Sequence, residues 1–143
     1  MAIGPPGPRR ARRGPRRLTL YVDSSALLKR YLDEPDSEVA DSLLRSDQTF
    51  VTARHTIVEV RRNLAVHLRE PDLAEAQAAF ARDVQAIGLI ELDDVVCESA
   101  ASIAELTGVR TLDALHLAAA RRVSAADLEF LTFDVRQANA ARD

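Results

Sequence analysis

The chain of 143 residues is 47% apolar and 29% charged, a balance that fits one globular domain able to bury a core without disulfides or a structural metal. The lone Cys97 excludes an internal disulfide, no apolar run reaches the roughly 18 residues of a membrane span, and with no secretory signal recognised a reducing cytoplasm is the expected location. The net charge of −3 hides an uneven spread, since residues 1–17 hold six arginines and no acid while the remainder has 13 basic against 22 acidic side chains.

That first segment, with Arg9, Arg10, Arg12, Arg13, Arg16 and Arg17 among Gly and Pro, has no apolar period. It is expected to be a disordered basic tail ahead of a folded domain over 18–143. Leu18–Val22 reads as a first strand, and Ser24–Leu32 as a helix stopped by Asp33-Glu34-Pro35-Asp36. Ser37–Leu44 is predicted as a second helix and Gln48–Thr52 as a short strand. A long helix follows over Ala53–Leu68, with Ile57, Leu64 and Leu68 on one stripe. Glu70-Pro71-Asp72 ends it and opens another helix to about Ala86. Gly88–Leu92 is a third strand. The helix Asp93–Leu106 stops at Gly108, which suits a C-terminal cap. Thr111 caps Leu112–Val123. Leu128–Phe133 is the last strand and Asp134–Ala141 a closing helix.

Strands alternating with helices, without hairpin turn signals, imply parallel strands joined by crossover helices. The expected fold is a three-layer α/β/α domain with a central parallel sheet of four or five short strands. Ligands of such sheets bind beyond the carboxyl ends of the strands.

Four carboxylates fall near that edge. Asp23 closes the first strand, Asp134 follows the last, Glu59 lies two turns into the helix after the second strand, and Asp113 sits in the first turn of TLDALHLAAARR. Each has an ordinary explanation: Asp23 and Asp134 suit helix caps, Asp113 gains from the helix dipole wherever it points, and Glu59 lies opposite the apolar stripe and so toward solvent. Together they would repel one another unless a cation sat between them. A hard divalent ion accepts such oxygen ligands and can activate water against a phosphodiester. His55, His67, His116 and Cys97 show no zinc-ligand spacing, and neither GxxxxGK[ST] nor GxGxxG occurs. A haloacid-dehalogenase-like phosphatase would need a second Asp where Ser25 stands.

The ordered segments VDSSALLKRYLDEP, TIVEVRRNL, TLDALHLAAA and FLTFDVRQANAA resemble the PIN-domain ribonucleases, most closely the toxins of VapBC toxin–antitoxin systems, over about Leu18 to Ala141. The resemblance implies a metal-dependent endoribonuclease using Mg²⁺ or Mn²⁺, with Asp23, Glu59, Asp113 and Asp134 as metal-binding and catalytic acids. Ser24 and Thr132 would support the ligand carboxylates, and His116 is read as a packing or hydrogen-bonding residue. The resemblance also implies a cognate VapB-type antitoxin, an RNA substrate and a homodimer. The apolar face Leu27, Leu28, Tyr31, Leu32, Val39 and Leu43 is either a partner groove or core. Arg54, Arg61, Arg110 and Arg136 are candidates to offset the acidic rim toward RNA. The alternative is a PIN-like module that binds RNA or protein without cutting.

Overall fold

The computed structural model describes residues 19–33, 37–38, 49–123 and 128–131, the last four through their backbone. Strand β1 (Thr19–Val22) leads into helix α1 (Ser24–Leu28), and β2 (Thr49–Ala53) into α2 (His55–His67). Helix α3 (Asp72–Val84) precedes β3 (Gly88–Ile90), after which come α4 (Asp94–Thr107), α5 (Thr111–Arg122) and β4 (Leu128–Leu131). Every pairing is parallel, in the order β3-β2-β1-β4, as strands joined only by crossovers must be.

The expected count of four or five strands is corrected on this point. Three strands, β1 to β3, make up the part of the sheet whose side chains are described. β4 is described only as backbone paired along β1, and no fifth strand occurs among the described residues. After β3 the chain goes into the α4–α5 helix pair, joined by the short link Gly108–Arg110. That link leaves no length for a further strand.

Alternation along β1 builds two cores. Leu20 and Val22 face α1, α2 and α3, where they meet Leu27, Val60, Leu64 and Phe80. Tyr21 faces the other side and joins Val96, Ile103, Leu117 and Ala119 of α4 and α5. This is the period of two expected of a strand covered on both faces. Each large apolar side chain so buried contributes about 1.5–3 kcal/mol.

Several boundaries differ from expectation. Regular helix α1 ends at Leu28, with turns carrying the chain to Leu32. Ala53 belongs to β2 rather than to α2. Asp93 is not in α4 but caps it, accepting from the Val96 N–H at 2.9 Å. Gly108 closes that helix at φ 74° as expected. Of the predicted helix Ser37–Leu44, only Ser37 and Glu38 are described, and they are helical. The basic tail and the closing helix Asp134–Ala141 lie outside the described residues. On the apolar face first considered for a partner, Leu27 and Leu32 are core, and Leu28 and Tyr31 pack against it. Val39 and Leu43 lie outside the described residues.

Candidate active site at the carboxyl rim of the sheet

Asp23 stands immediately after β1 and is only 2% exposed. Its Oδ1 accepts from the Ser25 hydroxyl at 2.7 Å and from the Ala26 N–H at 3.0 Å. The capping role is thus real, and Ser25 rather than the anticipated Ser24 makes the side-chain contact. The strand end below it is fixed from β2: Thr52 Oγ1 donates to the Val22 carbonyl at 2.6 Å and lies 2.7 Å from Thr56 Oγ1. Arg54, at the end of β2, donates its N–H to the Ile90 carbonyl, tying the ends of β2 and β3 together.

Glu59 departs from its expected solvent-facing position. Its side chain is 19% exposed, with Oε1 2.7 Å from His116 Nε2 and 3.5 Å from His55 Nε2. His55 is one turn earlier on α2, so the i,i+4 spacing stacks the two along one face. The buried stripe of α2 is Thr56, Val60 and Leu64. Ile57 and Leu68 only pack against the core, so the true stripe is rotated relative to the apolar one read from the sequence. This rotation brings Glu59 to the rim.

His116, 1% exposed, links two elements. Its Nδ1 lies 2.8 Å from the Tyr21 hydroxyl on β1 and its Nε2 meets Glu59 on α2. An ionised carboxylate only accepts, so Nε2 carries a proton. With one proton on the ring, Nδ1 then accepts from Tyr21. Burial, followed by the nearby negative charge of Asp23 and Glu59 as lesser causes, pushes the Tyr21 hydroxyl well above the usual tyrosine range. It therefore remains a donor.

His55 stacks at a tilt on His116, ring centroids 4.1 Å apart. Its Nε2 approaches the Leu112 carbonyl at 3.3 Å, and its buried Nδ1 has no hydrogen-bond partner among the described residues. Burial, then proximity to His116, lowers its pKa to about 4, which keeps the ring neutral.

Asp113 lies in the first turn of α5, partly buried, on the same helix face as His116 three residues on. Asp134 and Thr132 lie outside the described residues. Among the arginines considered for RNA, Arg54 forms an exposed ion pair with Glu91, Arg61 and Arg110 are exposed, and Arg136 is outside the described residues.

The spacing of His55, His67, His116 and Cys97 gave no metal-ligand signal, yet the fold brings two of them together. His55, Glu59 and His116 offer ligand atoms within 4.8 Å of one another, a set that can coordinate a divalent metal. His67 instead bonds the Asn63 carbonyl of its own helix, and Cys97 is exposed. The sequence signal for the cluster was modest: a His four residues before the Glu, and another three residues after Asp113. The carboxylates of Asp23 and Glu59 are also the hard oxygen donors that such ions take. Glu59 Oε2 takes no hydrogen bond among the described residues.

Residues 20–143 match the PIN domain family model. Ribonuclease VapC46 of Mycobacterium tuberculosis is 32% identical over 124 residues, covering 86% of this chain and 90% of the relative. Ribonuclease VapC45 of the same species is 33% identical over 122 residues, covering 82% and 85%. Among solved structures, the sarcin–ricin loop cleaving toxin VapC20 of M. tuberculosis superposes with a TM-score of 0.70 at 17% identity, over 85% of this chain and 94% of that one. A toxin–antitoxin complex from Klebsiella pneumoniae gives 0.61 at 14% identity, over 82% and 88%. At such low identity these two bear on the fold alone. The family match over nearly the whole described chain, and identity above 30% to ribonucleases across most of their length, settle the lineage: the chain belongs to the PIN-domain family, among its VapC-type ribonuclease toxins.

Proposed function

We propose that Asp23, Glu59, Asp113 and Asp134 form the acidic centre at which this VapC-type toxin hydrolyses RNA with Mg²⁺ or Mn²⁺. The observation that carries the assignment is one hydrogen-bonded chain, Tyr21–His116–Glu59, with links of 2.8 and 2.7 Å. Tyr21 is two residues before Asp23 and His116 three after Asp113, so the chain ties three separate acid-bearing segments to one rim. Asp23 is held by Ser25 and the Ala26 N–H. Thr52 holds the strand end that delivers it. Carboxylates fixed in this way need no reorganisation when ligand arrives.

Asp23, Glu59, Asp113 and Asp134 would hold a divalent cation, whose positive charge would activate water and stabilise the departing oxygen. Water adds to phosphorus, the bond from phosphorus to O3′ breaks, and the products carry a 5′-phosphate and a 3′-hydroxyl. Exposed Arg61 on α2 and exposed Arg110, the residue before α5, offset the rim's negative charge toward the incoming backbone. The chain acts with a protein partner, which we assign as a cognate VapB-type antitoxin, and it assembles as a homodimer in the cytoplasm.

The test is cleavage of end-labelled bacterial RNA with Mg²⁺, Mn²⁺ or EDTA, beside Asp23→Asn and Asp113→Asn. Discrete fragments that need metal, and fall about 100-fold or more in each variant, are the expected result. Intact RNA from folded wild-type protein across a concentration series would favour a binding module instead. Cutting that survives both substitutions would place the chemistry elsewhere.

A further inference from the structure

We propose that His116 is a positioning residue for Glu59: its Nε2–H fixes Oε1, so that Oε2 is the oxygen left to a cation. The inference rests on the assignment of Glu59 as a metal ligand and adds the device that orients it. Three observations support it. First, the Nε2 to Oε1 distance is 2.7 Å, short for N–H···O and in the range of a charge-assisted bond. Second, the ring is fixed at its other nitrogen by the Tyr21 hydroxyl at 2.8 Å, inside a side chain that is 1% exposed. Turning the ring would break both bonds. Third, His55 Nε2 also faces Oε1 at 3.5 Å, whereas Oε2 takes no hydrogen bond or ion pair among the described residues.

A carboxylate on a helix has three side-chain torsions to fix, and fixing them before the cation arrives removes an entropic cost from binding. A buried donor that holds one oxygen does this while leaving the negative charge in place. The competing view makes the imidazoles themselves ligands, since His55, Glu59 and His116 lie close enough to share a metal. Both nitrogens of His116 are already engaged, however, and ligation at Nε2 would break the 2.7 Å bond. The geometry therefore points to support of the carboxylate.

The experiment measures Mn²⁺ affinity directly, from the loss of the free-ion electron paramagnetic resonance signal, without RNA or turnover. His116→Gln retains an N–H donor that can reach Oε1, and His116→Leu does not. We expect Mn²⁺ affinity to fall about 10-fold or more in His116→Leu and to stay within about threefold of wild type in His116→Gln. Tyr21→Phe keeps the core volume and removes the hydroxyl that fixes the ring, so it should give an intermediate loss. This variant tests the chain even if the Leu variant unfolds. In a Glu59→Gln background, His116→Leu should weaken binding no further.

Wild-type affinity in His116→Leu, with Glu59→Gln weakened, would overturn the positioning role and leave the acidic centre standing. Wild-type affinity in Glu59→Gln would overturn the ligand assignment and the positioning role with it. Equal loss in His116→Gln and His116→Leu would show that the imidazole itself is required, and would overturn positioning in favour of direct ligation.

Discussion

At the scale of single residues, burial decides which polar groups keep their protons. Tyr31 packs edge-on against Phe80, and its hydroxyl donates to Asp83, which also pairs with Arg30. Burial first, then the hydrogen bond and charge of Asp83, raise its pKa well above the usual 10, and Tyr21 is raised chiefly by burial. These are the only tyrosines in the chain. In the unfolded chain both ionise near pH 10, so the stability they contribute is complete below about pH 10 and is lost as pH rises beyond it. Tyrosinate absorbance should therefore appear in one cooperative step that coincides with loss of helical circular dichroism. A gradual rise centred near pH 10 in protein that is still helical would refute this. Glu59 shows what sequence cannot supply at this scale. Helical phase locates an apolar stripe, but the partners of Glu59 are polar groups, and one of them is 57 residues away on α5. Asp23 was legible because a buried strand that runs into a carboxylate is anomalous within the strand itself.

At the scale of elements, the end signals were the most readable. Helix α4 is bounded by Asp93, whose carboxylate accepts from the Val96 N–H, and by Gly108 at φ 74°. Both follow from local chemistry that a sequence displays directly. A Cβ at Gly108 would meet no atom within 4 Å, so Gly108→Ala should cost only the left-handed backbone penalty of about 1 kcal/mol. Asp93→Ala should cost about 1 kcal/mol through the lost cap, its exposed pairing with Arg122 adding little. The two sites lie at opposite ends of the helix, so the double variant should lose about 2 kcal/mol in urea unfolding. A clearly smaller loss would show that the ends are coupled. Less legible was the start of α2. His55 and Thr56 are polar yet buried, because they sit where the helix meets the sheet rim, and their positions are set by Thr52 and α5 rather than by propensity. The number of strands was less legible for a similar reason. Short apolar runs predict strands, but how many pair depends on where the helices lead the chain.

At the scale of the whole molecule, the proposed acidic centre would gather like charge at one rim, which a bound cation would offset. Asp23 illustrates the trade. Its carboxylate is almost wholly buried and caps α1 through Oδ1, and Asn can supply the same acceptor. Asp23→Asn therefore preserves the cap and, on the proposed assignment, removes one negative charge from the acidic centre and relieves repulsion in the metal-free protein. In EDTA the variant should melt at or above the wild-type temperature. With Mn²⁺ the order should reverse. Wild-type protein at 100 times its Kd gains about 2.7 kcal/mol by mass action, roughly 10 °C in Tm for a domain of this size, and the variant should gain little. Thermal melts of both proteins, with EDTA and across a Mn²⁺ series, measure the two effects separately. A variant that melts far below wild type in EDTA would mean that the Asp23 charge holds the fold itself. A variant with the full Mn²⁺ shift would remove Asp23 from the metal site. The expected crossing of the two curves would mean that the rim carries a stability cost in the apo protein for the sake of its chemistry.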